Sequence, residues 1–282
     1  MSKVGIICDL MYKRHHLFQS YYHSVTHFYG PLKVVKTVPD LEGLEILFIG
    51  DDHYQVHKEV WQQNGFIRYC NIHKIKVVVL TNEKILNSFF PWNKDNLLRL
   101  KELDYLYHYT NDVDDCDLLG LKLNRQAMSK FFKPYINIPK NKKDKVLFIG
   151  RTDCASYVER KEVIREVQKY LEMDIVSSTI PLWEDYLNLI SEYKYVLSPI
   201  GNGNFFPMRF YEALAVKSIP IHQVRGNTLD LYNIESKFED CIFFKNPAEL
   251  KDKLRNFTSP DTRNELWMED NLEVLLKLDN LL

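Results

Sequence analysis

Short apolar runs that stop abruptly at a glycine or a polar cluster recur along this sequence. Lys3-Val-Gly-Ile-Ile-Cys-Asp9, Glu45-Ile-Leu-Phe-Ile-Gly50, Lys76-Val-Val-Val-Leu80 and Lys145-Val-Leu-Phe-Ile-Gly150 all have this form. A run that is apolar at nearly every position reads as a strand buried on both faces, and such strands belong to parallel sheets covered by helices. Between the runs lie stretches with helical spacing. The pattern predicts helices over 15–28, 54–70, 158–171 and 183–193, and a shorter one over 124–133. Further strands are expected at 34–38, 104–109, 174–177 and 241–244. Alternating strands and helices argue for parallel βαβ units and an α/β fold of Rossmann-like, doubly wound type.

The alternation is interrupted once. Pro134-Tyr-Ile-Asn-Ile-Pro-Lys-Asn-Lys-Lys-Asp144 carries two prolines and a lysine cluster, which suits a crossing between domains. The expected organisation is an N-terminal Rossmann-like domain over 1–137 and a second over 138–282, with the helix over 262–281 able to pack back on the first. A chain of 282 residues accommodates two such domains. Its formal net charge of −1 gives no global basic field, which counts against coating nucleic acid by charge alone. Five scattered cysteines without metal-type spacing suggest free thiols in a reducing compartment. With no secretory pattern and no long apolar run, the expectation is a cytoplasmic protein, monomeric and with no membrane partner.

In α/β folds of this kind, ligands bind at the carboxyl ends of strands. The richest such end is Tyr195-Val-Leu-Ser-Pro-Ile-Gly-Asn-Gly-Asn-Phe-Phe-Pro-Met-Arg-Phe-Tyr-Glu-Ala-Leu-Ala-Val-Lys-Ser-Ile-Pro-Ile221. It reads as strand, loop with Gly201, Asn202 and Gly203, helix, strand. Pro207 suits the first turn of that helix. Arg209 and Glu212 are three apart and share a face, with Arg209 at the end whose free N–H groups favour an anion. A cation for phosphate and a carboxylate for sugar hydroxyls, one turn apart, could form a nucleotide-diphosphate site. A structural Arg–Glu pair beside an ordinary loop is the plainer alternative. The second such feature is Gly150-Arg151: glycine permits close backbone approach, and arginine can reach a diphosphate. Two arginines in one half suit a dianionic leaving group. Lys161 could assist, or simply face solvent.

Phe206-Pro-Met-Arg-Phe-Tyr-Glu-Ala-Leu-Ala-Val-Lys-Ser-Ile-Pro-Ile221 resembles the donor-site signature of GT-B glycosyltransferases, two-Rossmann-domain enzymes that use nucleotide sugars and generally need no metal. Ser198-Pro-Ile-Gly-Asn-Gly203 is similar to the corresponding loop of exostosin-like and viral members. The resemblance covers about residues 145–257. It implies two domains facing across a cleft and no tightly bound cofactor, with a UDP-sugar as donor substrate. Arg209 would contact the diphosphate and Glu212 the ribose hydroxyls. Gly150 and Arg151 would form the phosphate-side loop, and Ser178 to Ile180 would hold the base. Many members carry a second glycine before the Ile-Pro-Ile strand, where this chain has Lys217-Ser218.

The first half would bind the acceptor. Thr81-Asn82-Glu83 after a buried strand is similar to the arrangement in T-even phage enzymes that glucosylate hydroxymethylcytosine in DNA, which place a catalytic aspartate there. Glu83, Asp51, Asp52 and Asp112 all sit at expected strand ends and could serve as general base, or as caps and loop carboxylates. Lys13, Arg14 and His15, with His16, form the densest basic cluster of this half and could contact an anionic acceptor such as DNA phosphate. His53, after the strand ending at Gly50, is a further candidate for contacting the acceptor. The pairs His53/His57 and His23/His27 lack the further ligands that a metal needs. Two acceptors stay open: hydroxymethylcytosine in phage DNA, or a growing glycan. A non-catalytic nucleotide- or DNA-binding module is the alternative of another class. A Rossmann oxidoreductase is disfavoured, because no Gly-x-Gly-x-x-Gly follows the first strand of either half.

Overall fold

The computed structural model describes residues 2–7, 16–51, 65–81, 85, 95, 98–125, 127–152, 158–177, 182–200, 203, 205–226, 238, 240–258 and 266–282. In chain order, β1 (Val4–Ile7), α1 (His16–Tyr29), β2 (Lys33–Val34), β3 (Ile46–Asp51), α2 (Phe66–Ile72), β4 (Lys76–Thr81), β5 (Leu106–Thr110), α3 (Val113–Leu119) and β6 (Lys122–Leu123) come first. They are followed by β7 (Lys143–Ile149), α4 (Val158–Val167), β8 (Met173–Val176), α5 (Trp183–Ser191), β9 (Tyr193–Ser198), α6 (Met208–Ala215), β10 (Ile219–Gln223), β11 (Ile242–Phe244), α7 (Leu250–Asn256) and α8 (Met268–Leu278). The chain divides into two compact units, Met1–Phe131 with Met268–Leu282, and Phe132–Trp267.

Each unit is built on one parallel sheet. The first has the order β2-β1-β3-β4-β5-β6 and the second β11-β10-β9-β7-β8. In both, the chain steps from the first strand to one side, then returns to build outward on the other. The continuous apolar runs explain why these strands lie inside. In the first unit Ile7, Leu47, Ile49, Val77 and Val79 pack with Phe66, Cys70, Leu100 and Leu103. In the second, Val146, Phe148, Leu197, Ile219 and Ile221 pack with Val163, Ile164, Val167 and Leu250. Each fully buried side chain of this size contributes about 1.5–3 kcal/mol relative to exposure.

Several local expectations are corrected. The stretch expected as a strand over 34–38 ends at Val34, and Val38–Leu41 is a 3-10 turn. Pro39 starts that turn, and the Asp40 carboxylate accepts from the Lys36 and Thr37 N–H groups at 2.9 and 2.8 Å. Among the described residues of 124–133, none is in an α-helix. Asn124 N–H instead donates to Thr110 O at 2.7 Å, extending the sheet edge, and a 3-10 turn containing Pro134 spans Lys130–Tyr135. The real helix here is α3. Asp112 caps it by accepting from Asp115 N–H, its first turn is acidic, and Gly120 ends it at φ +66°. Of the expected helix over 54–70, residues 54–64 lie outside the described residues.

Helix α8 belongs to the first unit. The buried Glu269 carboxylate accepts from Ser24 Oγ at 2.8 Å, from Lys130 N–H at 2.9 Å and from Ser129 Oγ. Tyr29 Oη donates to Leu281 O at 2.6 Å, and Asp279 takes Tyr109 Oη and Lys122 Nζ. Among the described residues, no helix is long and apolar enough to cross a membrane.

In the second unit the expected crossing segment also does structural work. Lys142 Nζ donates to Ser191 O at 2.7 Å, Val216 O at 2.8 Å and Ser218 Oγ at 3.0 Å. One ammonium thus satisfies carbonyls at the C-terminal ends of both α5 and α6, where a cation is favoured. Helix α6 closes with a Schellman turn: Lys217 N–H bonds Leu214 O, and Ser218 N–H bonds Ala213 O. Lys217 takes the left-handed conformation, φ +56°, where a glycine is usual. Ser218 Oγ donates to Tyr193 O at 2.7 Å. The Lys-Ser pair therefore makes the close turn that a second glycine would have served.

Candidate active site

In the second sheet, β7 and β9 are neighbours, while the chain leaves β7 toward β8 on one side and later returns to β9 on the other. The connections diverge at this point, and in open α/β sheets ligands bind at such a switch point, at the strands' carboxyl ends. Gly150 and Arg151 follow β7. Ser198 ends β9, and the loop after it leads into α6.

Gly150 sits at φ +141°, a conformation that L residues with side chains rarely adopt. Its N–H donates to Val176 O at 2.9 Å. A Cβ at this position would lie 3.1 Å from Arg209 Nη2. The Arg209 guanidinium therefore rests against the bare glycine backbone. Its Cζ also stands 5.3 Å from the centre of the Phe148 ring, which seats the planar cation. Arg209 Nε is buried and has no hydrogen-bond partner among the described residues. Helix α6 begins with Pro207 as N-cap, which makes no side-chain cap hydrogen bond, and the first N–H groups of a helix have no partner within it.

Glu212 lies one turn further along α6 and is buried, 4% exposed. Its Oε2 accepts from Tyr186 Oη, on α5, at 2.6 Å. Burial, then the Glu212 charge, holds the Tyr186 phenol well above its ordinary range, with the Arg209 charge pulling the other way. The phenol is therefore a hydrogen-bond donor at any working pH. Sequence reading missed Tyr186, because it precedes Glu212 by 26 residues on another helix. The only signal was its place on the apolar face of α5.

The core behind α6 is aromatic. Phe206, Phe210 and Phe243 surround the His222 ring, with centroids 4.8, 5.4 and 6.4 Å away. His222 Nδ1 is 2.5 Å from Ser198 O. A carbonyl can only accept, so Nδ1 carries the proton and donates it. Burial lowers the His222 pKa to about 4, so the ring is neutral. Ser198 Oγ is buried without a hydrogen-bond partner among the described residues.

The structure thus brings Gly150, Arg209 and Glu212 together. Arg151 has an exposed side chain, and its carbonyl accepts from Arg160 Nη1 at 2.9 Å. Arg160 was not singled out in the sequence, yet its Cζ stands 5.9 Å from the Phe148 ring centre. Lys161 is exposed on α4 and Gly203 is buried. Ser178, Ile180, Gly201 and Asn202 lie outside the described residues.

In the first unit, Asp51 ends β3. Asp112 is wholly buried, and its Oδ1 accepts from Asp115 N–H at 3.1 Å, which is the bonding of a helix cap. Glu83, Asp52, His53, His57, Lys13, Arg14 and His15 lie outside the described residues. His23 stacks on Phe131 at 3.5 Å, and burial lowers its pKa. Among the described residues, no group of three or more His, Cys, Asp or Glu could hold a metal. Burial pushes the thiols of Cys70 and Cys116 up to about 12, so neither is a ready nucleophile.

No family model and no curated protein matches the sequence. The structure is similar to that of AviGT4, a glycosyltransferase involved in avilamycin A biosynthesis. The match has a TM-score of 0.53, with 10% sequence identity, and covers 99% of this chain and 93% of that one. At that identity the likeness is one of fold.

Proposed function

We propose that the protein is a GT-B glycosyltransferase that moves a sugar from a nucleoside-diphosphate sugar, UDP-linked, to an acceptor hydroxyl. The observation that carries this reading is the seating of Arg209 over Gly150 at the sheet's switch point, with Glu212 one turn on. A glycosidic bond to a nucleoside diphosphate breaks with charge building on the leaving phosphate. A fixed guanidinium and an uncapped helix start stabilise that charge without a metal. Glu212, held as a hydrogen-bond acceptor, suits the ribose hydroxyls. The fold likeness to a glycosyltransferase supports the same reading.

The acceptor side is a proposal from sequence. Hydroxymethylcytosine in DNA comes first and a glycan second, with Lys13, Arg14, His15 and His53 as contacts in the first case. Asp112, buried and bonded as a cap, is the weakest of the proposed bases, which leaves Asp51, Asp52 and Glu83. Incubation with a labelled sugar nucleotide and either hydroxymethylated DNA or an oligosaccharide separates the two acceptors.

Thermal-shift screening against a panel of sugar nucleotides tests the donor site. A ligand at 100 times its Kd raises stability by about 2.7 kcal/mol. The wild type is expected to shift with a UDP-sugar and Arg209→Ala to lose that shift. No shift in the wild type with any sugar nucleotide, or an equal shift in Arg209→Ala, rejects the donor site.

A further inference from the structure

Among the described residues, three side chains meet at the start of α6, but only two lie on that helix. Tyr186 reaches over from α5 and donates to Glu212 Oε2 at 2.6 Å, while the Arg209 charge is near enough to act on the same phenol. The two α6 residues differ in how they are held. Arg209 has seats of its own in the Phe148 ring and the Gly150 backbone. Glu212 is a buried carboxylate, which must be hydrogen-bonded to keep its charge and its orientation. Both helices are in turn fixed at their far ends by Lys142. The relative placement of phenol and carboxylate is therefore set by the fold and is not a chance surface contact.

We propose that Tyr186 is a positioning residue for ligand selectivity. By holding one oxygen of Glu212 it sets the carboxylate's plane, so that the site favours ligands bearing the ribose diol over ligands bearing the diphosphate alone. This rests on the donor-site reading above. A carboxylate whose plane is fixed in advance loses little rotamer freedom when it accepts from two adjacent hydroxyls. A phenylalanine at 186 keeps the ring and removes only the donor. The carboxylate then meets the diol less preorganised by this one hydrogen bond, and diphosphate binding at Arg209 is left in place.

The test is calorimetric titration of the full chain with three probes: UDP, 2′,3′-dideoxy-UDP and inorganic pyrophosphate. Hydrogen bonds to a charged group of this kind make the expected wild-type preference for UDP over the dideoxy compound about tenfold or more. Tyr186→Phe is expected to reduce that preference at least about threefold, with pyrophosphate affinity unchanged. Glu212→Gln should also reduce it, and adding Tyr186→Phe to Glu212→Gln should change nothing further. If Tyr186→Phe weakens all three probes by the same factor, the phenol only supports the fold and the proposal falls. An unchanged preference in Tyr186→Phe overturns it too, as does a wild type with no preference. A wild type that binds no nucleotide removes the donor-site reading itself, and this inference with it. Retained pyrophosphate binding shows that the variant is folded around α6.

Discussion

Replacing Gly150 by alanine perturbs the site at its most constrained point, and two separate effects follow. The first is backbone strain. Holding a residue with a Cβ at φ +141° costs about 1–3 kcal/mol. For a unit of this size that corresponds to a fall in melting temperature of about 3–10 °C. The second is displacement. The new Cβ would stand 3.1 Å from Arg209 Nη2, closer than such atoms normally sit, so the guanidinium must retreat by a few tenths of an ångström. Two unit charges about 4 Å apart at an effective dielectric of about 20 attract by about 4 kcal/mol. A retreat of ~0.4 Å removes about a tenth of that, or roughly twofold in affinity. The methyl group also occupies the backbone that a phosphate would approach, so twofold is the minimum. Melting curves and UDP titration read the two effects separately. In an Arg209→Ala background the contact is gone and the strain stays, so Gly150→Ala should still lower the melting temperature while UDP binding, already lost, does not change. Wild-type stability in Gly150→Ala refutes the strain. Unaltered UDP affinity refutes the seat of Arg209.

Two further outcomes concern the scaffold. His222 is neutral in the fold because burial takes its pKa from an ordinary 6.5 to about 4. The unfolded chain binds the proton first, so stability is fully present above about pH 6.5 and is lost as pH falls toward 4, by about 3 kcal/mol over that window. Melting temperatures of wild type and His222→Gln between pH 7 and 4 should show a shallower acid slope in the variant; parallel slopes would count against the assignment. Lys217 holds φ +56° at the end of α6. Lys217→Gly relieves about 0.5–1 kcal/mol of left-handed strain and should raise the melting temperature by a degree or more, and a lowered value would contradict the Schellman reading.

The strands were legible because burial on both faces leaves a composition that nothing else mimics: Lys76 to Leu80 and Lys145 to Gly150 read directly as β4 and β7. Arg209 and Glu212 were legible because three-residue spacing on a helix is a local fact. Tyr186 was not, because its partner is set by how α5 lies against α6, and no spacing encodes that. Helix α3 did carry a local signal in the Asp112 cap and Gly120. Its acidic start reads equally well as a polar loop ending a strand, and its seven residues are too few to show a period. The region 124–133 misled in the opposite direction. Its helix-compatible composition was overridden by the sheet edge at Asn124 and by Pro134. Lys142 looked like part of a solvated linker, since its three acceptors come from residues 49 to 76 positions away.

The return of α8 to the first unit bears on the order in which the protein is made. Residues 132–267 are an insertion, in sequence, within the first unit. Ribosomal synthesis delivers Ser24, Ser129 and Lys130 long before Glu269, the carboxylate that all three bond. Until residues 268–282 emerge, the first unit lacks a helix and leaves two buried hydroxyls without that acceptor. The second unit, begun later, has all of its strands in hand by then. Domains usually fold as units in the order in which they are synthesised. Here the half that starts first is the half that finishes last.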